Sequence, residues 1–189
     1  MSSPRKAGSW EHPGALTYDD RMAETFDARE FERAAVDAVA AAVPESDLDA
    51  LRASFDLIRA STRLVQRLEA EVHREAGWSM AGFRVMFCVW VSSELEPRDI
   101  ARLSGLSRAA VSSVLNTLER DGLVDRSRES HDRRLVTVRL TDDGARRLVA
   151  AYERQNVVER DFFAALSHAD QRRLAHELAE LISSGGNSA

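Results

Sequence analysis

The sequence holds one cysteine in 189 residues, Cys88. A lone thiol excludes an intrachain disulfide framework and both the metal-binding and the redox forms of a CxxC motif, and it fits a reducing, cytoplasmic setting. No stretch approaches the roughly 18 uncharged residues of a membrane span. Met1–Gly14 has basic residues but no apolar run, so neither export nor a membrane partner is expected. The five histidines, His12, His73, His131, His168 and His176, are scattered without an HExxH or comparable cluster, so no metal site is expected. No glycine-rich phosphate loop appears, and Ser130, His131 and Asp132 are adjacent, so their side chains diverge instead of converging into a triad. The chain is therefore not expected to be an enzyme or to carry a cofactor. Nor is basic charge in excess: the formal charge is −5, so the molecule as a whole is not built to coat a polyanion. Internal repeats and low-complexity tracts are also missing.

What is present suits one globular domain with helical extensions, with 44% hydrophobic and 30% charged residues. Residues 1–16 have too little apolar content to fold and read as an arm. From Tyr18 to Val43, Met22, Phe26, Phe31, Val36, Val39 and Val43 recur at helical spacing, and Pro44 ends the helix. Asp47 caps a second helix, whose seam of Leu48, Leu51, Phe55, Ile58, Val65, Leu68 and Val72 runs to a stop at Gly77. Ser79 caps a third, where Phe83, Val85, Met86, Phe87, Val89, Trp90 and Val91 are apolar nearly all round and predict central burial. Thr141 caps a long helix to about Leu166, and Ser167 with Asp170 forms a capping box for a last helix to Ile182.

Between these lies a more polar block that reads as helix (Arg98–Leu103), turn (Ser104–Leu106) and helix (Arg108–Asp121), with Ser107 as N-cap and Gly122 as stop. Ile100, Leu103, Leu106, Val111, Val114, Leu115 and Leu118 form its inner side. Arg108, Ala109, Ala110, Ser112, Ser113 and Asn116 are left for the outer face. Such a face is slim enough to enter a major groove and carries groups that pair with base edges, Arg with guanine and Asn with adenine. The amides beside Ser107 suit a backbone phosphate. The plainer alternative is a solvated helix face. Leu123–Ser127 and Leu135–Leu140 then alternate as the only strand pair, joined by Arg128–Arg134. Arg126, Arg128, Arg133 and Arg134 gather long cations on this ribbon, which suits a narrow minor groove. Pro97–Arg139 holds nine arginines against six acids, a basic segment inside an acidic chain.

Residues Pro97–Gly144 resemble the winged helix-turn-helix of the MarR regulators. The resemblance is carried by the helix-turn-helix with its GLVDR continuation and by the pattern DxRxxxVxLTxxG, met by Asp132, Arg134, Val138, Leu140, Thr141 and Gly144. It implies a mainly α fold with a two-stranded β wing, flanked by long N- and C-terminal dimerisation helices. It also implies a sequence-specific regulator of transcription that binds double-stranded DNA, a repressor on a palindromic operator released by a small aromatic or lipophilic ligand. Arg134 would enter the minor groove and Asp132 would pair with it. The expected segments are the arm (1–16), N-terminal helices for dimerisation and part of a ligand cleft (17–78), the DNA-binding lobe (79–144) and C-terminal dimerisation helices (145–189).

Leu148, Tyr152, Gln155, Val158, Phe162 and Leu166, with Leu174, Leu178, Leu181 and Ile182, are expected to pack with Phe26, Phe31 and Val36 across the axis of a homodimer, intrachain core being the alternative. The resemblance places an effector between the dimerisation helices and the DNA-binding lobe. Phe55, Arg59, Arg63, Trp78, Phe83, Phe87 and Trp90 are candidates to line such a cleft, whose cations would suit an aromatic carboxylate. Each aromatic has plain core as its other reading. Two functional alternatives stand beside this one: a redox sensor using Cys88, which reads as buried and inert, and a winged helix that binds protein instead of DNA.

Overall fold

The computed structural model describes residues 28–128 and 136–185. They fall in two compact units, Met1–Thr62 and Arg63–Ala189. The arm, the start of the first helix with Met22 and Phe26, and the connector that carries Asp132, Arg133 and Arg134 lie outside the described residues.

In the first unit, α1 (Ala28–Ala42) stops short of Pro44, whose ring disfavours helix in the residue before it. The second helix, α2 (Leu48–Leu68), begins here and runs on into the other unit. Asp47 caps it as expected: Oδ1 accepts from the amides of Asp49 at 3.1 Å and Ala50 at 2.9 Å. Val36 is buried, and the rings of Phe31 and Phe55 meet at 6.1 Å.

In the second unit the helix widens into a π-helical turn, Glu69–His73, before a final turn α3 (Arg74–Ala76) closed by Gly77. The wider turn shifts the helical phase, and the consecutive Val72 and His73 are both fully buried. Ser79 accepts from the amide of Gly82 at 3.2 Å and starts α4 (Met80–Ser92). Val85, Met86 and Val89 of α4 are fully buried, but Trp90 and Val91 are exposed. The expectation of burial all round is corrected: one side of α4 is core and the other an outer face.

The helix-turn-helix is α5 (Pro97–Ser104) and α6 (Arg108–Arg120). Ser107 Oγ accepts from the amide of Ala110 at 3.1 Å. Ile100, Val111, Leu115 and Leu118 are buried as expected, whereas Leu103 is 49% exposed and Ser104 takes the inner position. Ile100, Ala101 and Ser104 make the stripe that faces inward, Arg84 donates to the Ser104 carbonyl, and Leu103 falls off that stripe.

Strands β1 (Val124–Arg128) and β2 (Val136–Leu140) pair antiparallel, Val124 opposite Leu140 and Arg126 opposite Val138. They are not the only extended pairing. Leu95 bridges to Val138, with N–H···O distances of 3.1 and 2.8 Å. Val138 is thereby held from both sides and fully buried.

Thr141 accepts from the amide of Gly144 at 2.9 Å and caps α7 (Asp142–Phe162). This helix ends before the expected Leu166, which closes a turn onto the Phe163 carbonyl at 3.0 Å. Ser167 and Asp170 form the capping box of α8 (His168–Gly185), which runs three residues past Ile182. The core joins α4, α5, α6, both strands and α7, which sets the angle at which α6 is presented.

Both ring nitrogens of His73 lack a hydrogen-bond partner, and the ring packs against Phe83 at 4.8 Å. Burial pushes its pKa below the ordinary value of about 6.5, against a smaller opposing pull from Glu69. The folded state therefore keeps His73 neutral where the unfolded chain takes up a proton. Stability is expected to be full above about pH 6.5 and to fall on acidification below it, by up to about 1.4 kcal/mol per pH unit until the lowered folded pKa is reached. Urea midpoints at pH 7.5 and 5.5, which are buffer choices for about one unit either side, should differ less in His73→Phe than in wild type. An identical difference in the variant would assign the acid sensitivity to other groups.

Candidate nucleic-acid interface and apolar cavity

The outer side of α6 follows from two short spacings. Arg108, Ser112 and Asn116 succeed one another at four-residue steps, with Ala109 and Ser113 beside them, and all five are exposed. Ser107 is exposed at the N-cap. Ala110 is half-buried and turns partly toward the core, so it contributes less of the outer face than the sequence suggested.

Arginine pairing sorts the charges of this region. Arg98 pairs with Glu96 at 3.0 Å, Arg102 with Asp99 at 3.2 Å, and Arg120 with Asp121 at 3.0 Å. Arg139 donates through Nε to Glu94 at 2.6 Å. The Thr137 hydroxyl and Arg139 hold the Glu94 carboxyl below the usual carboxylate range. Arg108 makes no such pairing among the described residues and stands at the first position of α6, with its charge uncommitted.

Arg126 is placed differently from its expected role among the cations of the ribbon. It sits two residues into β1, opposite Val138, and reaches back to α6. Its Nη2 donates to Asn116 Oδ1 at 2.7 Å, and its Nε lies 3.3 Å from Glu119 Oε2. It thus braces the strand against α6 and orients Asn116, leaving the amide Nδ2 as the group Asn116 offers outward. No sequence signal marked this pairing, because it links positions ten residues apart across a turn. Arg128 closes β1 opposite Val136.

The candidate ligand residues are divided between the two units. Phe55 and Arg59 belong to the first unit, and Arg63 is exposed on α2. Trp78 and Phe83 are core: Trp78 is buried beneath the Arg147 guanidinium, 5.3 Å from the ring centre, and Phe83 lies between His73 and Phe87. Phe87 and Trp90 do line a small apolar cavity of about 60 Å³, whose other wall is Leu148, Val149, Tyr152 and Glu153 of α7. Phe87 meets Trp90 at 5.8 Å and Tyr152 at 5.7 Å. The α7 residues escaped the ligand reading because α7 was assigned to dimerisation.

Cys88 is half-buried, not fully buried as expected. Burial raises its thiol pKa, with Arg84 opposing, which keeps it protonated and weakly nucleophilic near neutral pH. Among the described residues no helix is long and apolar enough to cross a membrane, and no group of three or more His, Cys, Asp or Glu side chains is placed to hold a metal ion.

Residues 78–136 match the model of the MarR family. The chain is 33% identical over 132 residues to YwaE of Bacillus subtilis, an uncharacterized HTH-type transcriptional regulator, covering 70% of this chain and 77% of that one. Among solved structures, BpsR of Bordetella bronchiseptica, described with regulation of its DNA binding by 6-hydroxynicotinic acid, superposes with a TM-score of 0.64 at 22% identity, covering 69% and 98% of the two chains. A mutant MarR of E. coli complexed with operator DNA gives a TM-score of 0.63 at 17% identity, covering 76% and 96%.

Proposed function

The chain belongs to the MarR family of winged-helix, DNA-binding transcriptional regulators, and from that premise we propose that it is a cytoplasmic, non-enzymatic repressor that binds a palindromic operator as a homodimer and is released by a small aromatic or lipophilic ligand. The observation that carries the reading is the exposed face of α6, with Arg108 unpaired among the described residues while its neighbouring arginines are held by carboxylates. An exposed guanidinium on a slim helix is free to fork onto guanine, and Ser107, Ala109, Ala110, Ser112, Ser113 and Asn116 add phosphate, methyl and amide contacts. Arg128, Asp132, Arg133 and Arg134 belong to the wing, with Arg134 in the minor groove.

Residues 79–144 form the reading lobe in this proposal, and 17–78 with 145–189 supply the dimer. Leu57 and Ile58 in the first unit, and Leu181 and Ile182 in the second, are large apolar side chains left exposed on the single chain, which supports burial against a second copy. The cavity between α4 and α7 is taken as the effector site of this reading; that a small molecule controls DNA binding is supported by BpsR, whose DNA binding is described as regulated by 6-hydroxynicotinic acid.

The test is a mobility-shift titration on the DNA flanking the protein's own gene, with wild type and Arg134→Ala side by side. Wild type should select that DNA over an unrelated duplex, and the variant should bind about tenfold more weakly, a cost of about 1.4 kcal/mol. Affinity should fall steeply with salt. Equal binding to both duplexes by wild type would end the repressor reading.

A further inference from the structure

We propose that the cavity between α4 and α7 selects an organic cation: a ligand with an apolar body that inserts an ammonium or quaternary ammonium group among Phe87, Trp90 and Tyr152, beside the carboxylate of Glu153. The inference rests on the effector reading above and replaces the aromatic carboxylate that Arg59 and Arg63 suggested.

Three features of the site point this way. Its walls are three aromatic side chains with Leu148 and Val149, and Phe87 touches both other rings at under 6 Å. Aromatic faces are negative at their centres, so a ring-lined recess favours a cation over an anion of the same shape. The one charged lining group is Glu153, which makes no ion pair among the described residues. Among the described residues no basic group lines the cavity, and the nearby arginines are engaged elsewhere. Arg154 pairs with Glu75 at 2.9 Å, Arg146 with Asp143 at 2.9 Å, and Arg147 covers Trp78 while donating to the Ala76 carbonyl at 2.8 Å. A carboxylate ligand would meet Glu153 and the ring faces with nothing to neutralise it.

Size adds a constraint. About 60 Å³ admits one compact group, well below the volume that encloses a whole drug-sized ligand. The rest of the ligand would lie along Trp90, Val149 and Tyr152, which are partly exposed at the mouth.

Calorimetric titration with benzyltrimethylammonium, its uncharged isostere neopentylbenzene and the anion phenylacetate tests the charge preference directly. Saturable binding of the cation is expected, with the isostere at least about tenfold weaker and phenylacetate weaker still. Glu153→Gln should reduce cation affinity about threefold and leave the isostere unchanged, because an exposed carboxylate acts weakly. Val149→Trp should fill the cavity and abolish binding while the circular dichroism spectrum is retained. Equal or tighter binding of the isostere or the anion, no saturable binding of the cation, or undiminished binding by Val149→Trp would each overturn the proposal. The same ligands added to the protein–DNA complex separate the two readings. Release by phenylacetate alone would keep the ligand-released repressor and sink the cation site, whereas cation binding that leaves DNA affinity unchanged would keep the site and sink its role as effector switch.

Discussion

Gly144→Ala is expected to cost the fold on the order of 4 kcal/mol, a large share of the roughly 5–15 kcal/mol that holds a domain together. Gly144 is buried in the first turn of α7, and a Cβ there would lie 2.0 Å from the carbonyl oxygen of Leu123 and 2.9 Å from its carbonyl carbon. The obstacle is backbone, and it is pinned. The Leu123 amide donates to the Leu118 carbonyl at 2.9 Å, and its carbonyl accepts from the Thr141 amide at 3.1 Å. The Thr141 hydroxyl meanwhile donates to the Gly122 carbonyl at 2.8 Å while accepting from Gly144. To admit a methyl group, β1 must move from α7, which breaks these bonds and unseats Leu123 and Val124 from the core. The urea midpoint should fall by about 2 M at an unchanged slope. Gly122→Ala is the control: its Cβ would meet nothing within 4 Å, so only its positive φ of 69° is penalised, at about 1 kcal/mol. If the two alanine variants lose the same stability, the close approach of α7 to Leu123 is not what requires glycine at 144.

The same corner shows which parts of the molecule can be read from residue order. Asp47, Ser79, Ser107, Thr141 and Ser167 all cap the helices they were expected to cap, because a side-chain oxygen three residues before an amide is a local arrangement that the chain spells out. The strand pairing was legible for the same reason, since alternation and a charged connector are both short-range. What failed depends on partners distant in sequence. Leu103, expected on the inner side, is exposed, and Ser104, expected in the turn, takes the inner position, where Arg84, twenty residues earlier, donates to its carbonyl. The bridge from Leu95 to Val138 spans more than forty residues and leaves no mark in either segment. Trp90 and Val91 looked like core because composition cannot tell an inner from an outer apolar face. The α6 surface was thus legible as a face, but which arginine remains uncommitted was not.

That distinction sets the largest functional effect. Arg108→Ala is expected to weaken binding to the cognate DNA by up to about a hundredfold, near the upper end of the 1–3 kcal/mol carried by a bidentate arginine–guanine contact. Binding to unrelated DNA should change much less, so the variant loses discrimination more than it loses attachment. Arg126→Ala should behave otherwise. Its guanidinium is committed to Asn116 and Glu119, so its removal frees Asn116 without deleting a direct contact. A loss of about tenfold is expected, with little further loss when Asn116→Ala is added, because the two side chains act as one unit. The salt dependence separates brace from phosphate ligand: a lost phosphate contact lowers the slope of log K against log salt by about 1, whereas a lost brace leaves it unchanged. Additive losses with a reduced slope would make Arg126 an independent contact to the DNA backbone. Because Asn116 turns its oxygen toward Arg126, its free amide donates, and under the proposed DNA contact the base it would meet must present an acceptor in the major groove. Replacing that base by one with a donor at the same place should penalise wild type but leave Asn116→Ala indifferent.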